Sequence, residues 1–274
     1  MKFKNSFHPY ATVTIFFWSL SHVFTRLALQ HFSAFALGFW RYAIASLLLL
    51  GVAFLFKTGL PRKADIKWFL LAGAAGFFLY TIFFNKGFET ITPATSSVII
   101  ATAPILTALL ARLVYREKLA PSQWGSIFLG FAGVLTLTLM GGALSVNIGV
   151  IWMLLAAFSI SVYNLLQRRL TKTYTGLQAS IFSIFGGTLL LCSFLPTGIQ
   201  QAKTALPIYW FYVAVLGVFS SAVAYVAWAI AFTKAKQASS VSNYMFATPF
   251  VTSLLSFVIS GEAPSLSTLV GGAI

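Results

Sequence analysis

Long apolar runs, separated by short clusters of charged residues, proline or glycine, follow one another along the whole chain. Most approach the ~20 residues that an α-helix needs to cross the ~30 Å hydrocarbon core of a bilayer. The pattern predicts an all-α polytopic membrane protein with ten transmembrane helices, at about 9–29, 34–56, 67–86, 93–115, 122–140, 148–167, 176–196, 207–232, 239–260 and 265 onward. The last begins near Ser265 and stops at Ile274, which is too short to cross, so we expect the natural chain to continue.

One segment of the chain occurs twice. Pro104 and Glu117 recur at the same spacing as Pro249 and Glu262, and small or hydroxylated residues precede each proline. Such a duplication among membrane helices is typical of secondary transporters. It predicts a first five-helix repeat at 1–142 and a second at 143–274, which together form one integrated transport unit.

Composition and the placement of charged residues indicate a membrane protein and its orientation in the membrane. With 59% hydrophobic and 8% charged residues, the chain is far from a soluble domain. Of its 18 Lys and Arg, only Arg26, Lys86 and Lys203 fall in predicted outer segments, and Arg41 lies within a span. The other basic residues lie in predicted inner loops. This distribution predicts a protein of the inner membrane whose amino terminus is in the cytoplasm. The charge therefore serves topology, and we expect no nucleic-acid partner.

An odd number of helices in each half inverts the second half relative to the first. Equivalent helices of the two halves then run oppositely through the bilayer, which is an inverted-topology repeat with a pseudo-two-fold axis in the membrane plane. This symmetry places the expected substrate site between the halves.

Several stretches carry a family resemblance. They are Trp18-Ser19, the Phe39 to Tyr42 run, the Ala94 to Gly125 segment, and its counterpart from Ser239 to Glu262. Together with ten helices and the duplication, they resemble the EamA-type family of the drug/metabolite transporter superfamily over essentially the whole chain. The resemblance implies export or facilitated movement of amino acids or other small metabolites. The family's first helix often has Trp-Gly followed by Asn, whereas this chain has Ser19 and then His22, so the resemblance does not give the substrate preference.

Polar residues inside the spans are the candidates for the chemistry. Arg41 lies deep in helix 2, where a cation is costly unless it is paired or hydrated, so it either faces a substrate cavity or pins helix ends together. His22 lies one turn from Trp18 and either contacts substrate or protons, or stays neutral and bonds a neighbouring helix. The full set predicted to line a cavity is Trp18, His22, Arg41, Tyr80, Asn164, Tyr225, Trp228, Asn243 and Tyr244. Tyr and Trp also populate interface belts, which is the alternative for each aromatic residue singly.

Pro104 and Pro249 lie near the middle of their helices. Each removes one backbone donor and frees a carbonyl in the preceding turn, so both are predicted to act as hinges or cavity formers, or as static kinks. Glu117 and Glu262 fall at helix ends, where capping or loop ion pairing is the expected role.

The predicted function is secondary transport. Paired carboxylates, metal-spaced histidines and HExxH are absent from the sequence, which argues against an intramembrane enzyme, a metal site or a cofactor. We expect alternating-access export or facilitated diffusion of a neutral or zwitterionic metabolite, with an amino acid as the favoured class. The alternatives are a carrier of phosphorylated or nucleotide-linked sugars and a proton-coupled multidrug exporter. The expected partners are the solute and the lipid bilayer, with a monomer or homodimer as the assembly.

Overall fold

The computed structural model of the chain describes residues 6–116 and 147–273, together with positions 121, 124–125, 128–129, 132–133 and 136. These residues form helices and short connections, and no strand occurs among them. In chain order the helices are α1 (His8–Ala28), α2 (Ala34–Leu55), α3 (Lys63–Gly87), α4 (Pro93–Tyr115), α5 (Ile148–Leu170), α6 (Gly176–Ala202), α7 (Pro207–Lys234), α8 (Ala238–Ser260) and α9 (Leu266–Ala273).

Seven of these described helices, α2 to α8, are long and apolar enough to cross a membrane. Their bounds lie within a few residues of the predicted ones, apart from the end of α6, because polar breaks fix where each apolar run can stop. Most of the helix predicted at 122–140 lies outside the described residues, as does Glu117. The ten-helix count therefore stays a prediction.

Side-chain caps set the helix starts. The Ser33 side chain accepts a hydrogen bond from the third backbone amide that follows it, and the Thr92 side chain does the same. Thr175 forms a capping box with Gln178, in which each side chain bonds the other residue's backbone amide. These residues satisfy amide groups that the first helical turn leaves unpaired, so the helices begin directly after short connections.

Two pairs of helices share irregular backbone at corresponding places in the two halves. α4 is interrupted at Ala101–Thr102, and α8 contains a 3₁₀ turn at Asn243–Ala247, in each case just before the proline. α3 and α7 each contain a π-helical stretch, at Ala74–Leu79 and Leu216–Val223. The repeat seen in the sequence is therefore also a repeat of backbone conformation.

The helices of the two halves exchange contacts. α1, the first helix of one half, packs on α7 and α8, whereas α5, the first helix of the other half, packs on α3 and α4. α2 and α6 pack on each other. Each half therefore covers the apolar faces of the other, and the core lies between them.

Contacts at the helix ends give the relative directions. Near the end of α1, Arg26 donates to the carbonyl of Phe88, which follows α3. Near the end of α5, Arg169 lies 3.8 Å over the ring of Trp68, which is near the start of α3. The carboxyl ends of α1 and α5 therefore lie at opposite ends of the bundle, so these two helices run antiparallel.

Glycine allows two helices of the core, α3 and α6, to approach closely. A Cβ atom on Gly73 of α3 would lie 2.5 Å from the backbone nitrogen of Gly187 and 2.7 Å from the carbonyl oxygen of Ser183, both in α6. Backbone atoms cannot give way as a flexible side chain does, so the small residue fixes the distance between these helices.

We expect Gly73→Ala to lower the apparent melting temperature of the purified protein, because overpacking costs ~1–3 kcal/mol. Gly51→Ala is the matched control, since a Cβ at Gly51 of α2 meets nothing within 4 Å. Thermal denaturation in detergent measures both. Equal melting temperatures for the two variants would contradict the tight crossing.

Candidate functional site

A buried group of aromatic and polar side chains lies where α1, α2, α3, α5 and α7 meet. We call it the central cluster and define it by Trp18, His22, Arg41, Tyr42, Phe77, Tyr80, Tyr163, Asn164, Tyr225 and Trp228. Every member is buried. Both halves of the chain contribute, which is the arrangement expected of a site at the repeat interface.

Ring contacts tie the cluster together. The Trp18 ring lies 5.0 Å from Tyr225 and 4.9 Å from Trp228, measured between centroids. Phe77 lies 4.7 Å from Tyr225 and 5.1 Å from Tyr163. Such tilted and edge-to-face pairs contribute ~0.5–1.5 kcal/mol each beyond burial, so they hold ring faces in fixed positions.

Arg41 is the one cluster residue with a permanent charge. Its side chain is 2% exposed, and its Nε donates to the Ser221 hydroxyl at 2.6 Å. Within the described part of the chain, the two ion pairs are Arg26 with Glu262 and Lys86 with Glu89, and neither includes Arg41. A guanidinium at the centre of a membrane helix costs ~2.5–3.5 kcal/mol even on translocon-insertion scales. An anionic group bound beside Arg41 would offset much of this cost.

His22 has a neutral partner. Its Nδ1 lies 2.6 Å from the Ser96 hydroxyl in α4, and its ring meets Phe84 edge-on at 5.0 Å. Ser96 also donates to the carbonyl of Pro93. Since that hydroxyl proton is engaged, the arrangement suits a histidine whose Nδ1 carries the proton.

Asn164 links the halves through a second polar chain. The Trp228 indole donates to the Asn164 amide oxygen at 2.9 Å, and the Asn164 amide nitrogen donates to the Thr107 hydroxyl at 3.2 Å. These bonds orient the Trp228 ring, which is fully buried.

Three donors in the cluster have no hydrogen-bond partner among the described residues. They are the indole nitrogen of Trp18 and the hydroxyls of Tyr42 and Tyr163. Unpaired buried polar groups cost ~1–3 kcal/mol each, so the cluster has spare capacity to donate to a polar solute.

Two predicted cavity residues lie elsewhere. Asn243 is exposed, and the Tyr244 ring and hydroxyl contact Phe7 and His8 at the start of α1. Both belong to the 3₁₀ turn of α8, which has three residues per turn where an α-helix has 3.6.

The structure also brings in residues that sequence reasoning missed. Tyr42 adjoins Arg41 in a stretch already singled out, and its position offered a signal. Phe77 and Ser221 lie in the two π-helical stretches, where an added residue per turn rotates the following side chains. No sequence pattern used above marks those stretches.

The prolines lie beside hydroxyls from the opposite half. Ser161 of α5 donates to the carbonyl of Ala103, just before Pro104, at 2.9 Å. Ser19 of α1 is 3.4 Å from the carbonyl of Thr248, just before Pro249. Hydroxyl donors thus reach the backbone where each proline interrupts the helix, and they tie each interrupted helix to the first helix of the other half.

Across the described ranges, no group of three or more His, Cys, Asp or Glu is placed to hold a metal ion. The cluster instead offers aromatic faces, neutral donors and one guanidinium.

Comparison with known proteins decides the family. The EamA-like transporter family matches twice, over residues 7–139 and 147–274. The chain belongs to this family. The two matches fall on the two halves described above, so the transporter has the family's two-repeat architecture and is a multi-pass membrane protein.

Individual relatives agree with the assignment. This transporter is 31% identical to the uncharacterized transporter YdfC of Bacillus subtilis over 94% of its own length and 84% of YdfC. It is 28% identical to a probable terminal-alkyne amino-acid exporter of Streptantibioticus cattleyicolor, over 96% and 88% of the two chains. A solved crystal structure, 19% identical, superposes with a TM-score of 0.70 over 96% and 91% of the two chains and supports the fold.

Replacing Arg41 separates its two possible roles. We expect Arg41→Gln to reduce solute counterflow by about tenfold or more with the folded yield retained, since bonds to charged groups contribute ~1.5–3 kcal/mol. Counterflow by Arg41→Lys should lie between that of Arg41→Gln and that of the unchanged protein. Lysine keeps the positive charge but lacks the planar guanidinium that binds a carboxylate through two hydrogen bonds. Lys203→Gln, in a loop, is the control for a lost cation. Loss of monodisperse protein in both Arg41 variants would indicate a structural pin.

Pro104→Ala and Pro249→Ala test the hinge hypothesis. Alanine restores a backbone donor and straightens the helix, so we expect the maximal transport rate to fall more than the apparent affinity. Initial rates over a range of solute concentrations separate these two quantities. Unchanged maximal rates in both variants would support a static kink.

Proposed function

We propose that this transporter moves a small neutral or zwitterionic metabolite, with an amino acid as the favoured class, across the inner membrane by alternating access. The observation that carries the proposal is Arg41: it is buried between the halves, and neither ion pair of the described residues includes it. A carboxylate bound there supplies the missing negative charge.

The rest of the central cluster suits the other parts of such a solute. An ammonium group is attracted to the faces of Trp18, Trp228 and Tyr225, with ~0.5–2 kcal/mol available per contact. The unpaired donors of Trp18 and Tyr42 can meet the second carboxylate oxygen. The relative named as an amino-acid exporter supports the same solute class.

Charge balance favours a carboxylate over a phosphate ester. Among the cluster residues Arg41 alone is cationic, so a doubly charged phosphate leaves one negative charge uncompensated in a poorly solvated core. A phosphorylated or nucleotide-linked sugar remains a candidate because the Arg41 guanidinium can bind a phosphate. The uncompensated charge makes it the second candidate.

We propose an inverted-topology arrangement of the repeats at 1–142 and 143–274, with the amino terminus cytoplasmic. The antiparallel directions of α1 and α5 and the exchanged packing of the halves support it. Rocking of one half against the other then exposes the cluster to each side in turn, and movement of the solute down its gradient needs no coupled ion.

A proteoliposome counterflow and efflux screen tests the function. We expect counterflow of an amino acid without a pH gradient, and competition by other amino acids. The panel includes phosphorylated sugars and lipophilic cations, each measured with and without a pH gradient. Movement of a cation only against a proton gradient contradicts the proposal and favours a proton-coupled exporter; exchange of a phosphate ester favours the second candidate.

A further inference from the structure

A cavity lies at one end of the bundle and adjoins the central cluster at Phe88, whose ring centroid lies 6.0 Å from that of His22. It has a volume of about 440 Å³, and its lining includes Arg26, Gln30, Ser33, Phe88, Glu89 and Glu262. We call it the vestibule. These residues come from the end of α1, the start of α2, and the connections after α3 and α8, so four chain segments from both halves converge on it. Its volume falls within the ~300–1,000 Å³ of small-molecule sites.

The vestibule contains a loosely held pair of opposite charges. Arg26 Nε lies 4.0 Å from Glu262 Oε1, beyond hydrogen-bonding distance, and both side chains are partly exposed at 41% and 38%. Arg26 also donates to the carbonyl of Phe88 at 3.0 Å. Among the described residues, the other carboxylate oxygen of Glu262 has no hydrogen-bond partner and is shielded from solvent.

This arrangement leaves hydrogen-bonding capacity on both members of the pair. A carboxylate can take a guanidinium through a two-bond fork, and an ammonium can supply the donor that Glu262 lacks. A ligand with one charge would satisfy one member and leave the other without compensation. A ligand that carries both charges satisfies both Arg26 and Glu262. These two side chains already lie close enough together to reach the two charged groups of one small solute.

We propose that the vestibule is a second binding site for a zwitterionic solute, with its carboxylate on Arg26 and its ammonium on Glu262. The choice of solute rests on the function proposed above. Phe88 and Gln30 offer an apolar face and an amide beside the charged pair. The site lies at the end of the bundle predicted to face outside, so solute binds there after release from the central cluster or before return to it.

Thiol protection tests this site separately from the central one. Cys192 is the chain's single cysteine, so a Cys192→Ser background with Gln30→Cys places one thiol in the vestibule lining. The protein is labelled in proteoliposomes with a membrane-impermeant thiol reagent, with leucine, phenylalanine or threonine present. At ten times the dissociation constant, mass action leaves roughly one site in eleven free, so labelling should slow by about tenfold.

The variants decide which site gives the protection. We expect protection to persist with Arg41→Gln and with the loop control Lys203→Gln, and to disappear with Arg26→Gln or Glu262→Gln. The swapped pair Arg26→Glu with Glu262→Arg should restore it, because both charges are again present, and a monodisperse elution profile of each single variant checks that it folds.

Protection that disappears with Arg41→Gln and persists with Arg26→Gln overturns the vestibule site, because solute at the central cluster would then be acting indirectly on the thiol introduced at position 30. That result leaves the proposed function intact. Counterflow of an amino acid without any protection also overturns the site alone. Absence of both amino-acid counterflow and protection overturns the proposed function as well.

Discussion

The absence of water from the hydrocarbon core constrains every part of this structure. Backbone groups there must find partners within the protein, which is why the spans are helices. Among the described residues, hydroxyl groups reach irregular backbone at two places: Ser161 donates to the carbonyl before Pro104, and Ser19 approaches the one before Pro249. Because these hydroxyls come from the opposite half, the same contacts that make each interruption tolerable also join the two repeats.

The buried guanidinium of Arg41 brings this constraint to the proposed transport site. Ser221 accepts a hydrogen bond from it, the Tyr42 ring lies 5.4 Å away, and neither ion pair of the described residues includes it. Ser221 lies in a π-helical stretch, and so does the cluster residue Phe77 at the corresponding place in the other half. Local departures from α-helical geometry therefore direct side chains toward the interface between the halves. A site built this way depends on both repeats, and relative motion of the repeats changes its surroundings directly.

The vestibule differs from the central cluster in its exposure to water. Its residues lie at helix ends, where partial exposure lowers the cost of charge and allows ion pairs to open and reform. Arg26 and Glu262 belong to different halves, so their separation changes with any rocking motion. The central cluster, in contrast, keeps one charge within an aromatic surrounding, where each interaction is stronger and less screened. The two proposed sites therefore differ in exposure and in charge, with an open ion pair at the mouth and a single buried guanidinium at the centre.

The sequence by itself determined the class of the protein, the bounds of most helices and the duplication, because apolar run length and polar breaks are local properties. It also predicted that Arg41, His22, Trp18, Tyr80, Asn164, Tyr225 and Trp228 line one cavity, starting from the cost of an ionisable side chain within a span. The tertiary structure decided which of them meet. It placed Asn243 and Tyr244 outside the cluster, and it brought in Phe77 and Tyr163, with Ser221 bonded to Arg41. Asn243 and Tyr244 lie in a 3₁₀ turn, and Phe77 and Ser221 lie in π-helical stretches, where side chains depart from the regular helical period. Such changes of helical period follow from packing between distant segments, which no single stretch of sequence encodes.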